Sequence, residues 1–183
     1  MRSTARAFAV VALVIAGLAA ISTMAVARGG SPEVADPERL AALTAMDQAL
    51  ARNDRAAAVK AWRYARELGV RSRGWRGPAD AAAAELRLAV AMDRVDAVKR
   101  DARELFLIAL FRARGEGAVD GVLQAAEGFA RLGDGDAALL ALRIADNTAA
   151  RRGGEAERAQ VRVVSERLRR PAAMPAVPVS SGS

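Results

Sequence analysis

The chain has 183 residues, 52% of them hydrophobic but only 4% aromatic, and a formal net charge of +7. It contains no cysteine and no histidine. Disulfides, a lipid anchor on an N-terminal cysteine, thiolate or imidazole metal sites, and Ser-His-Asp or Cys-His catalysis are therefore all excluded. Its apolar residues are mainly Ala, Val and Leu, which favours helix over sheet.

The first 27 residues have the pattern of a secretory signal peptide. Arg2 and Arg6 precede an uncharged run over residues 7–27, which ends in a small-x-small triplet at residues 25–27. A positive start, an apolar middle and a small exit predict export and cleavage. An uncleaved anchor is the alternative, because about 20 apolar residues reach across a bilayer core of about 30 Å. We predict a protein that is periplasmic, or anchored in the inner membrane and facing the periplasm.

Export also affects how the positive charge is interpreted. A basic chain in the cytoplasm would be a candidate for binding nucleic acid, since Lys and Arg neutralise phosphates. An exported chain does not meet that partner. Nearly all of the basic residues are Arg, and Lys60 and Lys99 are the lysines. We predict no nucleic-acid partner and no cofactor, and we take the charge to concern solubility and association.

Seven helices are predicted over residues 36–169, between a linker at 28–35 and a disordered tail at 170–183. Asp36 is expected to cap the first helix, with Pro37 at its first position. Asp54 is expected to cap the second helix, and Gly69 to end it. The third and fourth helices could be one bent helix, because the break between them, at residues 93–95, is weakly marked. The predicted helices are Pro37–Arg52, Asp54–Leu68, Ala79–Met92, Asp96–Arg114, Val119–Leu132, Ala137–Arg151 and Glu155–Arg169.

The helices pair into hairpins that restart near residues 37, 78 and 118, a period of about 40 residues that is typical of helical repeat proteins. Superposed without gaps, the first and third hairpins match small, large and small side chains: Ala58 with Ala138, Trp62 with Leu142, and Ala65 with Ala145. This pattern resembles the tetratricopeptide repeat family. The resemblance implies an all-α fold of antiparallel hairpins stacked as a short right-handed repeat array. The middle hairpin fits the pattern poorly.

The resemblance also implies a concave face, built by the first helix of each hairpin, that binds a peptide. At the family's ligand-facing positions the chain has Leu40, Leu43, Asp47 and Leu50 in the first hairpin and Asp120, Leu123, Glu127 and Arg131 in the third. The Lys and Asn set that clamps a terminal carboxylate in some members is absent. An amphipathic or basic segment of another envelope protein would suit these side chains better. Alternatively, the leucines of the first hairpin belong to the core.

A second candidate binding feature is the loop at residues 70–77. Trp75 lies there among Arg71, Arg73 and Arg76, and Trp with Arg is enriched at binding hot spots and membrane interfaces. If the loop is exposed, it would bind an anionic lipid surface, an anionic polymer or an acidic partner. Alternatively, Trp75 folds back over the helices and the arginines only solvate the loop.

No enzyme is predicted. The carboxylate pairs at residues 93 and 96 and at residues 101 and 104 are interleaved with basic residues, as on a solvated helix face. Glycines 115, 117 and 121 are interpreted as turn residues, and Asp134-Gly135-Asp136 as a turn and helix cap. The apolar run at residues 105–111 has no polar face, which predicts a helix surrounded by others. The predicted function is that of an exported adaptor that binds proteins in the bacterial cell envelope.

Overall fold

The computed structural model describes residues 36–152 and 154–169. These ranges form seven α-helices and contain no strand. The helices are α1 (Pro37–Ala51), α2 (Arg55–Arg71), α3 (Arg76–Ala91), α4 (Val95–Glu116), α5 (Val119–Arg131), α6 (Gly135–Arg152) and α7 (Glu155–Arg169). The predicted all-α class is confirmed.

Aspartate side chains cap three of the helices at their N-termini. Asp36 accepts hydrogen bonds from the backbone N–H groups of Glu38 and Arg39, at 3.1 and 3.3 Å. Asp54 accepts one from Ala57 at the start of α2, and Asp134 caps α6 in the same way. These bonds satisfy backbone donors that have no partner within the helix. The predicted caps at Asp36 and Asp54 are confirmed, and the cap expected within residues 134–136 is Asp134.

Left-handed residues end four of the helices. Asn53 and Asp93 have φ values of 57° and 54°, and Gly117 and Gly133 have 71° and 78°. Asn, Asp and Gly tolerate this conformation best, which is why helices often end at them. The turn at Asp93 makes α3 and α4 two separate helices, so the alternative of one bent helix is wrong.

Gly69 does not end α2, which continues to Arg71. A Cβ atom at Gly69 would lie 2.6 Å from the carbonyl oxygen of Gly77. The two glycines therefore allow the backbones of α2 and α3 to come close together. Because α3 already begins at Arg76, the predicted loop at residues 70–77 shortens to residues 72–75.

The interpretation of residues 115, 117 and 121 as turn glycines is right only for Gly117, which caps α4. Gly115 lies within α4 and Gly121 within α5. A Cβ atom at Gly121 would lie 2.5 Å from the ring of Trp75, so this position accepts only glycine without rearrangement. Glycine is therefore required at residue 121 by the packing of α5 against Trp75, and not by a turn of the backbone.

Each helix packs against the next one along the chain, and alternate helices also touch. Contacts join α1 to α3, α3 to α5, α5 to α7 and α4 to α6. The odd-numbered helices thus form a continuous row. The surface that they share is called the odd-helix face below, and it carries Asp47, Arg87, Asp120 and Glu127.

Two clusters of buried side chains lie between the helices. The larger includes Trp75, Phe106, Val122 and Phe129, and the smaller is centred on Met46 between α1, α2 and α3. Small alanines fill much of both clusters, so the helices approach closely and small changes in side-chain volume matter.

The apolar run of α4, residues 105–111, is only partly enclosed. Leu105, Phe106, Ala109 and Leu110 are buried, but 61% of the Phe111 surface is exposed. The expectation that other helices surround this segment is therefore right for its core side and wrong at Phe111. A 22-residue helix that packs on neighbours from one side leaves its far side to solvent.

The predicted leader at residues 1–27, the linker at 28–35 and the tail at 170–183 lie outside the described residues. Among the helices that the structure describes, none has the length and apolar character needed to cross a membrane.

Candidate functional site

The leucines predicted for a concave binding face contribute largely to the core. Leu43 and Leu50 are half-buried and pack against the Met46 cluster. Leu123 is only 3% exposed and belongs to the larger cluster. Leu40 differs from them, because 44% of its surface is exposed at the start of α1.

The acidic residues predicted for the same face are paired with arginines of neighbouring helices. Asp47 of α1 lies 3.2 Å from Arg87 of α3, and both of its carboxylate oxygens accept hydrogen bonds from that guanidinium. Asp120 of α5 lies 3.3 Å from Arg76 of α3. Helix α3 therefore supplies the positive partner on both sides.

Three further ion pairs extend this arrangement across the odd-helix face. Glu127 of α5 lies 2.9 Å from Arg167 of α7 and 3.8 Å from Arg131. Arg39 of α1 is buried and pairs with Asp80 of α3. Burial raises the pKa of Asp80, although the neighbouring Arg39 guanidinium lowers it. The carboxylates expected to meet a ligand are thus already neutralised within the chain.

Trp75 is not exposed in a loop. It is 4% exposed and belongs to the larger core cluster, with its ring over Gly121. The guanidinium of Arg76 lies 4.6 Å from the ring centroid, in a cation–π contact. Arg73 is exposed. The structure thus places Trp75 back over the helices, the alternative arrangement considered above.

Arg112 holds the 72–75 loop in place, and the sequence analysis did not identify it. Its Nη1 atom donates hydrogen bonds to the carbonyl oxygens of Ser72 and Gly74 at 2.7 and 3.1 Å, and Nη2 donates to that of Val70 at 3.3 Å. One charged group therefore satisfies three carbonyls at the end of α2 and in the loop. An arginine directly after an apolar run was the available clue.

Replacing Arg112 with methionine should destabilise the fold by about 1 to 2 kcal/mol, because the partly buried carbonyls of Ser72 and Gly74 lose a charged donor. Amide hydrogen exchange over residues 70–75 should become faster than in the parent protein. Arg114→Met is a matched control, since Arg114 is exposed on the same helix, and should change stability by less than about 0.5 kcal/mol. Equal exchange in both variants would show that Arg112 does not hold the loop.

A groove of about 550 Å³ lies between α2 and α4. It is called the α2/α4 groove below and is lined by Trp62, Arg63, Arg66, Glu67, Val70, Arg71 and Asp101. Arg71 pairs with Glu67 at 2.7 Å. Trp62 is half-buried, and its indole Nε1 atom is buried with no hydrogen-bond partner among the described residues.

Glu85 of α3 interacts electrostatically with two groups that line this groove, Arg66 and Asp101. Its side chain is 3% exposed, and its Oε2 atom is buried without a partner among the described residues. Burial and the negative charge of Asp101 raise the Glu85 pKa to about 7, while Arg66 opposes this increase. A carboxyl that titrates near neutral pH therefore lies in the core. Its position in the sequence, in an alanine-rich helix, gave no hint of this.

A second groove, of about 440 Å³, lies between α4 and α6. Its lining includes Leu107, Leu140 and an ion pair of 2.6 Å between Arg103 and Asp134. That pair and the bond from Ala137 lower the pKa of Asp134. Asp134 therefore has two roles. It caps α6, as expected for residues 134–136, and it forms an ion pair with Arg103.

Within the described ranges, no three carboxylates lie close enough together to hold a metal ion. The fold and these surfaces define an all-α protein of pairwise packed helices, with an internally paired charged face and two grooves. No protein-family model matches the sequence, and neither the curated proteins nor the solved structures contain a significant match.

Proposed function

We propose that this protein is an exported helical-repeat adaptor that binds another protein of the bacterial cell envelope. The observation that carries the proposal is the register of the ion pairs between alternate helices. Arg39 near the start of α1 pairs with Asp80 near the start of α3. Asp47 and Arg87 pair near the ends of the same two helices.

Single ion pairs continue this alignment along the row of odd-numbered helices. Arg76 and Asp120 join the starts of α3 and α5, and Glu127 and Arg167 join the later parts of α5 and α7. Alternate helices that meet start to start run in the same direction, as the first helices of stacked hairpins do. This supports a short tetratricopeptide-like array, whose usual role is to bind peptides.

The partner would contact the odd-helix face, at Leu40, Leu43, Asp47, Leu50, Glu127 and Arg131. Leu123, the other leucine expected there, is buried and is not available to a partner. The carboxylates on this surface are already paired with arginines. A partner would therefore meet ion pairs of both signs together with the exposed side chain of Leu40. An amphipathic segment binds through its apolar side, which on this face would meet Leu40. Leu40 is the apolar residue of this set that a partner could cover most fully.

The alternative role, association with anionic lipid or polymer through the Arg/Trp loop, has less support. Trp75 is buried, Arg76 pairs with Asp120, and Arg71 pairs with Glu67. Arg73 is then the loop arginine without an ion pair among the described residues. We therefore propose the protein-binding role first.

Affinity purification after crosslinking in intact cells tests this proposal. A partner should copurify with the parent protein and be lost with Leu40→Glu. The matched control Leu139→Glu, on α6 and 49% exposed, should retain it. Circular dichroism should show both variants folded. Recovery of the protein alone, or equal loss with both variants, would rule out the odd-helix face as an adaptor surface.

Export itself is tested by sequencing the N-terminus of the protein recovered from cells. A start at Arg28 would mean a free periplasmic domain, and an intact N-terminal end with periplasmic exposure would mean a tethered one. Recovery in the cytoplasmic fraction with an intact end would rule out export.

A further inference from the structure

We propose that the α2/α4 groove binds an acidic peptide segment, whose carboxylates pair with Arg63 and Arg66. This site is separate from the odd-helix face and does not depend on the adaptor proposal. It differs from that face in one respect: these two arginines have no carboxylate partner among the described residues.

Arg63 and Arg66 form no ion pair or hydrogen bond with the rest of the described chain. In contrast, Arg39, Arg76, Arg87 and Arg167 each pair with a carboxylate of another helix. Spaced three residues apart on α2, Arg63 and Arg66 project from neighbouring positions of one helix face. Guanidinium groups bind carboxylates with two parallel hydrogen bonds, which suits them to an acidic ligand.

Glu85 does not neutralise Arg66, although the two interact electrostatically. No ion pair joins them, and the Glu85 Oε2 atom has no partner among the described residues. Ionising this buried carboxyl is costly, so it is a poor competitor for a carboxylate that comes from solvent. Arg66 is therefore available to a ligand.

Trp62 also lines the groove beside these arginines. Its indole N–H can only donate a hydrogen bond, and its buried nitrogen has no acceptor in the described chain. A buried donor without a partner costs about 1 to 3 kcal/mol. Because the nitrogen is buried, an oxygen of a ligand in the groove would reach it only if the covering side chains moved, so the proposal rests on the two arginines.

The charge of the groove favours a peptide over a membrane. The groove is open to solvent, so the arrangement of its charges decides which anionic partner fits it. Its lining also includes the carboxylates of Asp101 and Glu67, which would repel a continuous anionic surface. A narrow segment could place its own carboxylates against Arg63 and Arg66 and avoid Asp101.

The test is fluorescence anisotropy with the purified full chain and a fluorescein-labelled octaglutamate peptide. Saturable binding is expected, and the double variant Arg63→Glu/Arg66→Glu should weaken it at least tenfold. The control Arg114→Glu/Arg162→Glu makes the same change in net charge at exposed positions, and should stay within threefold of the parent. Circular dichroism should show that all variants fold.

Trp62→Phe removes the unpaired donor but keeps most of the ring, and should change binding by less than about threefold, because the indole nitrogen is buried. An absence of binding, or equal weakening by the two double variants, would overturn the site. Binding to vesicles of phosphatidylglycerol and phosphatidylethanolamine is measured in parallel, to test a membrane surface as the ligand. Binding to them that depends on Arg63 and Arg66, with no binding to octaglutamate, would overturn the peptide as occupant.

Discussion

Gly128→Ala is expected to lower the free energy of unfolding by about 2 kcal/mol or more. A Cβ atom at this position would lie 2.4 Å from the ring of Phe106. That ring is 1% exposed and meets Phe129 edge to face, with centroids 6.0 Å apart. Alanine normally stabilises a helix by about 1 kcal/mol relative to glycine, so destabilisation would show that overpacking outweighs helix propensity.

Gly115→Ala is the matched control for this prediction. Gly115 is also helical, and nothing lies within 4 Å of the position its Cβ would take. This variant should therefore be stabilised, by up to about 1 kcal/mol. Urea unfolding followed by circular dichroism measures both changes. Similar effects of the two substitutions would contradict the close contact between α4 and α5.

A double-variant cycle identifies the clash more directly. Phe106→Leu removes the ring that the methyl group of Gly128→Ala would strike. The combined destabilisation should therefore be smaller than the sum of the two single effects by about 1 kcal/mol or more. If the two effects were additive, the methyl group added at residue 128 would clash with a group other than the Phe106 ring.

The second large effect concerns Glu85 and pH. Its pKa is raised from 4.5 to about 7 in the folded protein, so between these values the folded state holds a proton that the unfolded state has released. The stability that this residue contributes is therefore complete below about pH 4.5. It decreases between about pH 4.5 and 7 and is lost above about pH 7. The contribution lost from this residue amounts to at most about 3 kcal/mol.

Glu85→Gln should remove this pH dependence, because an amide of nearly the same shape does not ionise. At pH 8 the variant should be more stable than the parent by about 1 to 3 kcal/mol, and at pH 4.5 the two should be similar. Thermal or urea unfolding at several pH values measures the difference. Glu67→Gln, at a largely exposed position, is the control and should change little at either pH. Parallel pH profiles for Glu85→Gln and the parent would contradict the buried, unpaired carboxyl.

The sequence predicted the helices well because the features that define them are local. A capping aspartate bonds to an N–H group two or three residues ahead, so Asp36, Asp54 and Asp134 could be recognised from their neighbours alone. The left-handed turns at Gly117 and Gly133 are local in the same sense. The roles of Gly69 and Gly121 were misjudged, since each faces another helix.

The candidate surfaces were predicted less well, and the reason is physical. Asp47, Glu127 and Trp75 have the residue types of a binding surface, but whether they are free depends on partners that lie 40 or more residues away. Charge spacing along one helix contains no information about such partners. The α2/α4 groove combines side chains from two helices, and no single segment indicates it.

The sequence alone therefore determined the helical class, most helix boundaries and the chemistry that the absence of cysteine and histidine excludes. The tertiary structure decided which glycines permit close packing, which arginines neutralise carboxylates and which remain unpaired. Local hydrogen bonds and backbone preferences act over three or four residues, and they can be recognised in order along the chain. Burial and ion pairing depend on which helix faces meet, and only the packed molecule fixes that.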